Sequence, residues 1–216
     1  RESFDNALQA FKHIANGPKI DKPSHIFLIV GESYSPPYFD PAFTDLHIAD
    51  EGKKLMADSH TASIPTTLSA GIISRPSIVS LMLGIFDAGL ELNEREAFWK
   101  GTLPTSLPLQ LRKLGYESNY WYGGSLSNGN FSHFAPACGF NHSYSAIDIC
   151  APDAPRSWVG VYDHIFLQRA AEIIQDDEAP LQFHFIYTTS NHGPYKMPLK
   201  KLGFDAKKVM KVQDDV

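Results

Sequence analysis

Residues 25–33 read HIFLIVGES, a run of apolar, partly β-branched residues that leads directly into a glycine, a carboxylate and a hydroxyl. Pro23 and Gly31 bound the apolar part. This pattern is typical of a strand buried on both faces of a parallel sheet, where helices cover both sides. We therefore predict a central strand over His25–Val30, with Glu32 placed at its carboxyl end.

The sequence beyond this strand alternates helical and strand patterns. It predicts helices over 76–83, 107–114 and 161–175, and strands over 116–122 and 181–189. Such alternation predicts an α/β fold with a mainly parallel central sheet and helices on both faces. In sheets of this kind, ligands bind at the carboxyl ends of the strands. Residues 33–69 are polar and proline-rich.

The composition excludes several classes of function. The net charge is -5, and the 19 basic and 24 acidic side chains are spread along the chain without a basic stripe, so we expect no nucleic-acid partner. The longest apolar runs, 26–30 and 78–86, are well short of the roughly 20 residues that span a bilayer. The chain also lacks a P-loop, a G-x-G-x-x-G fingerprint and a paired C-x-x-C motif.

Three polar clusters follow a predicted strand or begin a predicted helix. They are Glu32 with Ser33, Ser74 beside Pro76, and Asn191 with His192. Singly, each has an ordinary structural explanation: a solvated strand-end carboxylate, a helix N-cap and a turn residue. Together they supply a hard carboxylate ligand for a divalent metal, a hydroxyl nucleophile and an imidazole that binds a phosphate oxygen.

From His25 onward the sequence resembles the sulfatase domain of lipoteichoic acid synthases and related bacterial phosphoglycerol transferases, within the alkaline phosphatase superfamily. The motifs occur in the family's order. They are HIFLIVGES (25–33), SRPSIVSLMLG (74–84), YGG (122–124), GF (139–140), WVGVYD (158–163) and TTSNHGPY (188–195).

The resemblance implies roles for individual residues. Glu32 would ligate the metal, Ser74 would be both metal ligand and nucleophile, and His192 with Asn191 would contact substrate. We expect a lead-in helix (4–14) and linker over 1–23, and the N-terminal portion of the catalytic domain over 24–216. The remaining Asp and His metal ligands of the family belong to a later GDH motif, which we expect beyond Val216.

The same resemblance implies a chemistry and a cellular setting. We expect transfer or hydrolysis of a phosphate ester through phospho-Ser74, most simply phosphoglycerol transfer from a phospholipid headgroup to a glycan or polymer. The cofactor would be a divalent metal, with manganese first and magnesium, zinc or calcium as alternatives. The protein would work outside the cytoplasm, at the outer face of a bacterial membrane or in the periplasm, and associate with the membrane through a segment upstream of Arg1.

The sequence departs from the family pattern at one substrate-binding segment. The synthases carry a Trp and an Arg after the glycine pair, whereas this chain offers Asn130, Phe131 and His133. We predict that Asn130 and His133 contact substrate. Asp163 and His164 form an adjacent Asp-His pair inside a predicted helix, and we interpret them as structural.

Three alternatives remain open from sequence. A sulfatase would need formylglycine at Ser74, but Ile78 stands where the modifying enzyme reads Arg. A catalytically inactive binding module is the second alternative; a Ser-His-Asp hydrolase is disfavoured because no G-x-S-x-G occurs. The third concerns Cys138 and Cys150, which form either a small-loop disulfide or two free thiols.

Overall fold

A four-stranded parallel sheet organises the protein. The computed structural model describes residues 20–34, 36–64, 67–87, 89–101 and 103–193, so the predicted helix over 4–14 lies outside the described residues. The sheet has the order β1-β4-β2-β3, and every neighbouring pair is parallel. The strands are β1 (His25–Val30), β2 (Glu117–Tyr122), β3 (His142–Ser145) and β4 (Gln182–Tyr187).

Seven α-helices are present among the described residues. The helices between consecutive strands connect the end of one strand to the start of the next, as parallel pairing requires. Helix α2 begins at Ser74, and Gly84 ends it in the left-handed conformation that glycine adopts without strain. The helices are α1 (Asp50–Ala57), α2 (Ser74–Leu83), α3 (Glu96–Trp99), α4 (Leu107–Lys113), α5 (Phe131–Cys138), α6 (Ala146–Ile149) and α7 (Asp163–Gln175). Short 3-10 turns occupy Pro36–Phe39, Pro41–Leu46, Leu92–Glu94 and Asn128–Asn130.

Alternate residues of the strands enter two separate cores. On one face, Tyr120 and Phe185 pack with α2 and α5 through side chains such as Phe134. On the other, Trp121 and Ile186 pack with α6 and α7. Because side chains of a strand alternate between faces, these two cores lie on opposite sides of the sheet. The predicted α/β fold with a parallel sheet and helices on both faces is confirmed.

One expectation about the fold is wrong, and one helix was not predicted. Strand β1 lies at an edge of the described sheet, with Phe27 and Ile29 exposed by 50% and 58%, so it is not buried on both faces there. An apolar run shows what a strand prefers to bury, but it does not specify the neighbours. The polar segment 33–69 contains α1, where lysine and leucine side chains favour a helix that the proline content obscured.

The two cysteines carry free thiols in different cores. Cys138 belongs to the core under α2 and α5, and Cys150 to the core under α6 and α7. The sheet separates them, so the disulfide alternative does not describe this structure. Burial raises the pKa of both thiols, which keeps them protonated and poorly reactive at neutral pH.

The described part of the chain has no helix with the length and apolar character needed to cross a bilayer.

Candidate active site

The candidate site lies where β1 and β4 end side by side. The backbone N–H of Glu32 donates to Thr188 Oγ1 at 3.1 Å, and the N–H of Thr188 donates to the Val30 carbonyl at 3.1 Å. These two bonds fasten the residues that follow each strand to one another. Glu32 and the 188–192 segment, 156 residues apart in sequence, therefore share one edge of the sheet.

Glu32 accepts hydrogen bonds from three hydroxyl groups. Ser74 donates to its Oε2 at 2.7 Å and Tyr187 donates to the same oxygen at 2.5 Å. Ser33 donates to Oε1 at 3.0 Å. Hydrogen bonds to a charged acceptor are stronger than neutral ones, so this carboxylate fixes the orientation of both Ser74 and Tyr187.

Ser74 is the first residue of α2, as expected for a residue at or near the helix cap. The cap position belongs to Ile73, an apolar residue that offers no side-chain acceptor to the helix N–H groups, and within the described chain its first turn carries no acidic side chain. The N-terminal end of a helix carries partial positive charge. The Ser74 hydroxyl therefore lies where a negatively charged phosphoryl group is stabilised.

Tyr187 is held in its protonated form. Its burial, and then its hydrogen bond to Glu32, raise its pKa well above the usual range. The ring stacks on Tyr122 with centroids 5.1 Å apart, which leaves the hydroxyl little freedom to turn away. Sequence reasoning missed Tyr187, although its position as the last residue of a strand that precedes a polar loop is the signal that marks it.

A pocket of about 450 Å³ opens beside Ser74. Aromatic and apolar side chains form much of its wall, and Trp158 at the rim is 66% exposed. Arg75 lines the pocket too and forms an ion pair with Glu94. The lining residues are Ile73, Ser74, Arg75, Tyr122, Asn128, Gly129, Phe131, Trp158, Val159, Tyr187 and His192.

His192 shares this pocket with Ser74. Its Nδ1 lies 2.6 Å from the carbonyl oxygen of Gly193, which can only accept, so Nδ1 carries a proton. Its Nε2 is left to act as an acceptor in the neutral ring, or as a donor to a phosphate oxygen in the imidazolium. The ring contacts Trp158 edge to face, with centroids 5.1 Å apart.

The other predicted substrate residues lie elsewhere in the described chain. Asn191 is partly buried next to His192 but is not among the residues that line the pocket. Asn130 precedes α5 with a positive φ of 55°, and His133 stacks on Trp99 with centroids 4.3 Å apart. Neither lines the pocket; their neighbours Asn128, Gly129 and Phe131 do.

The residues present fit part of a site for a hard divalent cation. Glu32 Oε2 and Ser74 Oγ lie 2.7 Å apart, and carboxylate and hydroxyl oxygens are ligands that such ions accept. In the described ranges no three His, Cys, Asp or Glu side chains cluster closely enough to hold an ion. Glu32 and Ser74 could supply two oxygen ligands, and a complete ligand set would need others.

Comparison with known proteins identifies the family. The family model described as Sulfatase matches residues 24–208. The chain belongs to the sulfatase family. This match covers the segment from the opening strand through both Ser74 and His192, and it confirms the resemblance to the alkaline phosphatase superfamily.

Three solved structures match parts of this chain. The C-terminal periplasmic domain of EcEptC from Escherichia coli, in complex with Zn, matches with TM-score 0.52 and 17% identity over 86% of this chain and 49% of that one. The lipoteichoic acid synthase LtaP from Listeria monocytogenes matches with TM-score 0.50 and 18% identity over 62% of this chain and 33% of that one. A protein in the alkaline phosphatase superfamily from Vibrio parahaemolyticus matches with TM-score 0.42 and 25% identity over 50% of this chain and 26% of that one. The matched region is therefore less than half of each of these structures.

Proposed function

We propose that this chain carries the nucleophile of an enzyme that transfers or hydrolyses a phosphate ester through a covalent phospho-Ser74 intermediate. One observation supports this most directly. The Ser74 hydroxyl is the first side chain of α2, donates to Glu32 and opens into the pocket that holds His192. The proposed nucleophile, orienting carboxylate and phosphate-binding imidazole would thus belong to one site.

In the first step Ser74 Oγ attacks phosphorus and the ester bond to the leaving alcohol breaks. The Oγ proton leaves along the hydrogen bond to Glu32, and the leaving alkoxide takes a proton from water. Water or an acceptor alcohol then gives its proton to the hydroxide left by the first step and attacks phospho-Ser74. The P–Oγ bond breaks, Oγ takes its proton back from Glu32, and the product leaves. The phosphoryl oxygens lie against the N-terminus of α2 and the Nε2 side of His192 during both steps.

Glu32 and Ser74 would hold a divalent metal, manganese first, with magnesium, zinc or calcium as alternatives. Bound there, the ion supplies Lewis acidity and lowers the pKa of the serine hydroxyl. Support for a metal comes from the oxygen ligands themselves and from the Zn complex of the EcEptC domain, which shares the fold.

For the substrate we propose a phospholipid headgroup as donor, most simply phosphoglycerol, and a glycan or polymer as acceptor. The site would lie outside the cytoplasm, with membrane association through a segment upstream of Arg1. The fold shared with a lipoteichoic acid synthase and a periplasmic domain supports this setting. We also propose Asn191, Asn130 and His133 as substrate contacts.

The test is to trap the intermediate in the complete protein. After incubation with Mn²⁺ and either a chromogenic phosphodiester or phosphatidylglycerol vesicles, acid quench and peptide mapping should show a phosphoryl adduct on Ser74. Ser74→Ala should form no adduct, and its turnover should fall by at least about a thousandfold. Ser77→Ala is the matched control, because Ser77 lies one turn further along α2 and bonds to the Ile73 carbonyl.

Each contrary outcome has a distinct meaning. A Ser74 peptide lighter by two hydrogens would establish formylglycine and a sulfatase. Unmodified Ser74 with no turnover under any of the four metals would overturn the proposal in favour of an inactive binding module.

A further inference from the structure

The loop that carries His192 is held by a carboxylate on a different element. Asp163 Oδ1 accepts from the backbone N–H groups of Thr189 at 2.9 Å and Ser190 at 3.1 Å. In return, the Asp163 N–H donates to Ser190 Oγ at 2.7 Å. Three hydrogen bonds thus join the start of α7 to the turn that follows β4.

The Asp163 carboxylate bonds to groups outside the helix that Asp163 begins. An aspartate in the first turn commonly bonds to its own helix's N–H groups, whereas Asp163 receives N–H groups 26 and 27 residues further along the chain. Helix α7 is a firm support for it, because Phe166 and Ala170 are buried against the sheet. The other side of the turn is closely packed: a Cβ on Gly123 would come within 2.9 Å of Thr189 Oγ1.

The constrained turn determines where His192 lies. The His192 N–H donates to the Thr189 carbonyl at 3.1 Å, so the residue held by Asp163 is also the one that anchors the His192 backbone. From there the imidazole reaches the pocket and the Trp158 ring. A shift of the turn by about 1 Å would misplace the imidazole relative to Ser74, and errors of that size cost about a hundredfold in rate.

We propose that Asp163 is a positioning residue, which acts through the 188–192 turn to place His192 against the phosphoryl group on Ser74. The expected effect of Asp163 on the reaction rate rests on the proposed function. Asp163 touches neither Ser74 nor Glu32 through any hydrogen bond of the described structure, so its effect passes through the turn.

Four variants of the complete protein test the proposal: Asp163→Ala, Asp163→Asn, His192→Ala and the double variant Asp163→Ala/His192→Ala. Asp163→Ala should lower kcat by about tenfold to a hundredfold with a smaller change in KM. Asp163→Asn keeps an Oδ1 acceptor and should recover most of the loss. The double variant should be no worse than His192→Ala alone, because both changes remove the same contribution.

The matched control is Asp148→Ala, which removes an exposed carboxylate from the start of a different helix. Hydrogen exchange measured on all variants gives a readout that needs no substrate. In Asp163→Ala the Thr189 and Ser190 amides should exchange at least about tenfold faster, while the amides of β2 stay protected. Asp148→Ala should change neither measurement.

The outcomes separate this proposal from the general one. Unchanged exchange at Thr189 and Ser190, or additive losses in the double variant, would overturn the role of Asp163 even if Ser74 is phosphorylated. Absence of phospho-Ser74 together with faster exchange in Asp163→Ala would overturn the proposed function while leaving the turn's dependence on Asp163 established.

Discussion

At the scale of single residues, the site depends on one carboxylate oxygen shared by two hydroxyl groups. Ser74 and Tyr187 both donate to Glu32 Oε2, at 2.7 and 2.5 Å. A carboxylate oxygen has lone pairs for two such donors, so the bonds support one another instead of competing. Tyr187 therefore acts on Ser74 indirectly, by fixing the oxygen to which the hydroxyl of this proposed nucleophile is oriented.

Tyr187→Phe tests this dependence. Because the pKa of Tyr187 is raised, first by burial and then by Glu32, the hydroxyl is a permanent donor at neutral pH. Its loss should reduce kcat/KM by roughly tenfold, the equivalent of one net hydrogen bond to a charged group. The measurement is steady-state kinetics on the complete protein, with thermal unfolding recorded alongside.

Tyr116→Phe is the control for that measurement. Tyr116 is also a buried tyrosine and donates to the Pro23 carbonyl at 2.7 Å, away from Glu32. It should show a comparable loss of stability, about 1 kcal/mol, and unchanged kcat/KM. Equal kinetic losses in the two variants would show that Tyr187 contributes only to stability.

At the scale of elements, the wall of the pocket depends on how closely two segments approach. Residue Gly160 pairs with Gly124 in an isolated antiparallel bridge, and the Val161 N–H donates to the Gly123 carbonyl at 3.0 Å. These contacts attach the segment that presents Trp158 to the end of β2. The glycines allow the two backbones to approach more closely than any side chain would permit.

Gly160→Ala should detach that segment. Its Cβ would overlap the Gly123 carbonyl oxygen, a backbone atom that cannot move without shifting the end of β2. We expect a loss of about 2 kcal/mol or more in the free energy of unfolding, measured by chemical denaturation, and a lower kcat/KM. Gly101→Ala is the control, since a Cβ there meets nothing within 4 Å; equal stability of the two variants would contradict the packing argument.

At the scale of the whole molecule, the core beneath α6 and α7 contains a buried, titratable side chain. His184 is fully buried, and its Nδ1 accepts from Trp121 Nε1 at 3.2 Å. Burial, and then the neighbouring His25, lower its pKa to about 4. The neutral ring is therefore part of the folded structure over most of the pH range in which the protein would work.

This arrangement predicts an acid-sensitive fold. Between pH 6.5 and 4, His184 is protonated in the unfolded chain but neutral in the folded chain. The free energy of unfolding therefore falls as the pH falls. His184 alone should contribute a slope of up to about 1.4 kcal/mol per pH unit in that window and none above it. The free energy of unfolding, measured by urea denaturation at a series of pH values, should depend less on pH in His184→Asn, which keeps an acceptor for Trp121. Equal slopes for this variant and the unchanged protein would contradict the role of His184.

Local features, such as the bounds of helices and strands, were more predictable from sequence than contacts between residues distant in the chain. The bounds of β1 were predicted as His25–Val30, and the predicted 107–114 helix differs from α4 by one residue. Strand β3 and helix α1 were missed, because short or polar elements depend on neighbours more than on their own periodicity. Glu32, Ser74 and His192 were predicted as site residues because strand ends and helix starts are visible in the pattern. Tyr187 was missed although it ends a strand, and the role proposed for Asp163 depends on contacts across the fold.

The sequence by itself determined the α/β class, the alternation of strands and helices, and the placement of Glu32 and Ser74 at element ends, because these follow from local periodicity and turn chemistry. Only the tertiary structure decided that β1 pairs with β4, that Cys138 and Cys150 lie on opposite faces, and that Asp163 holds the His192 turn. These features join residues distant in the chain. Their free energy comes from pairings that exist only once the sheet has assembled, and no local stretch of sequence encodes them.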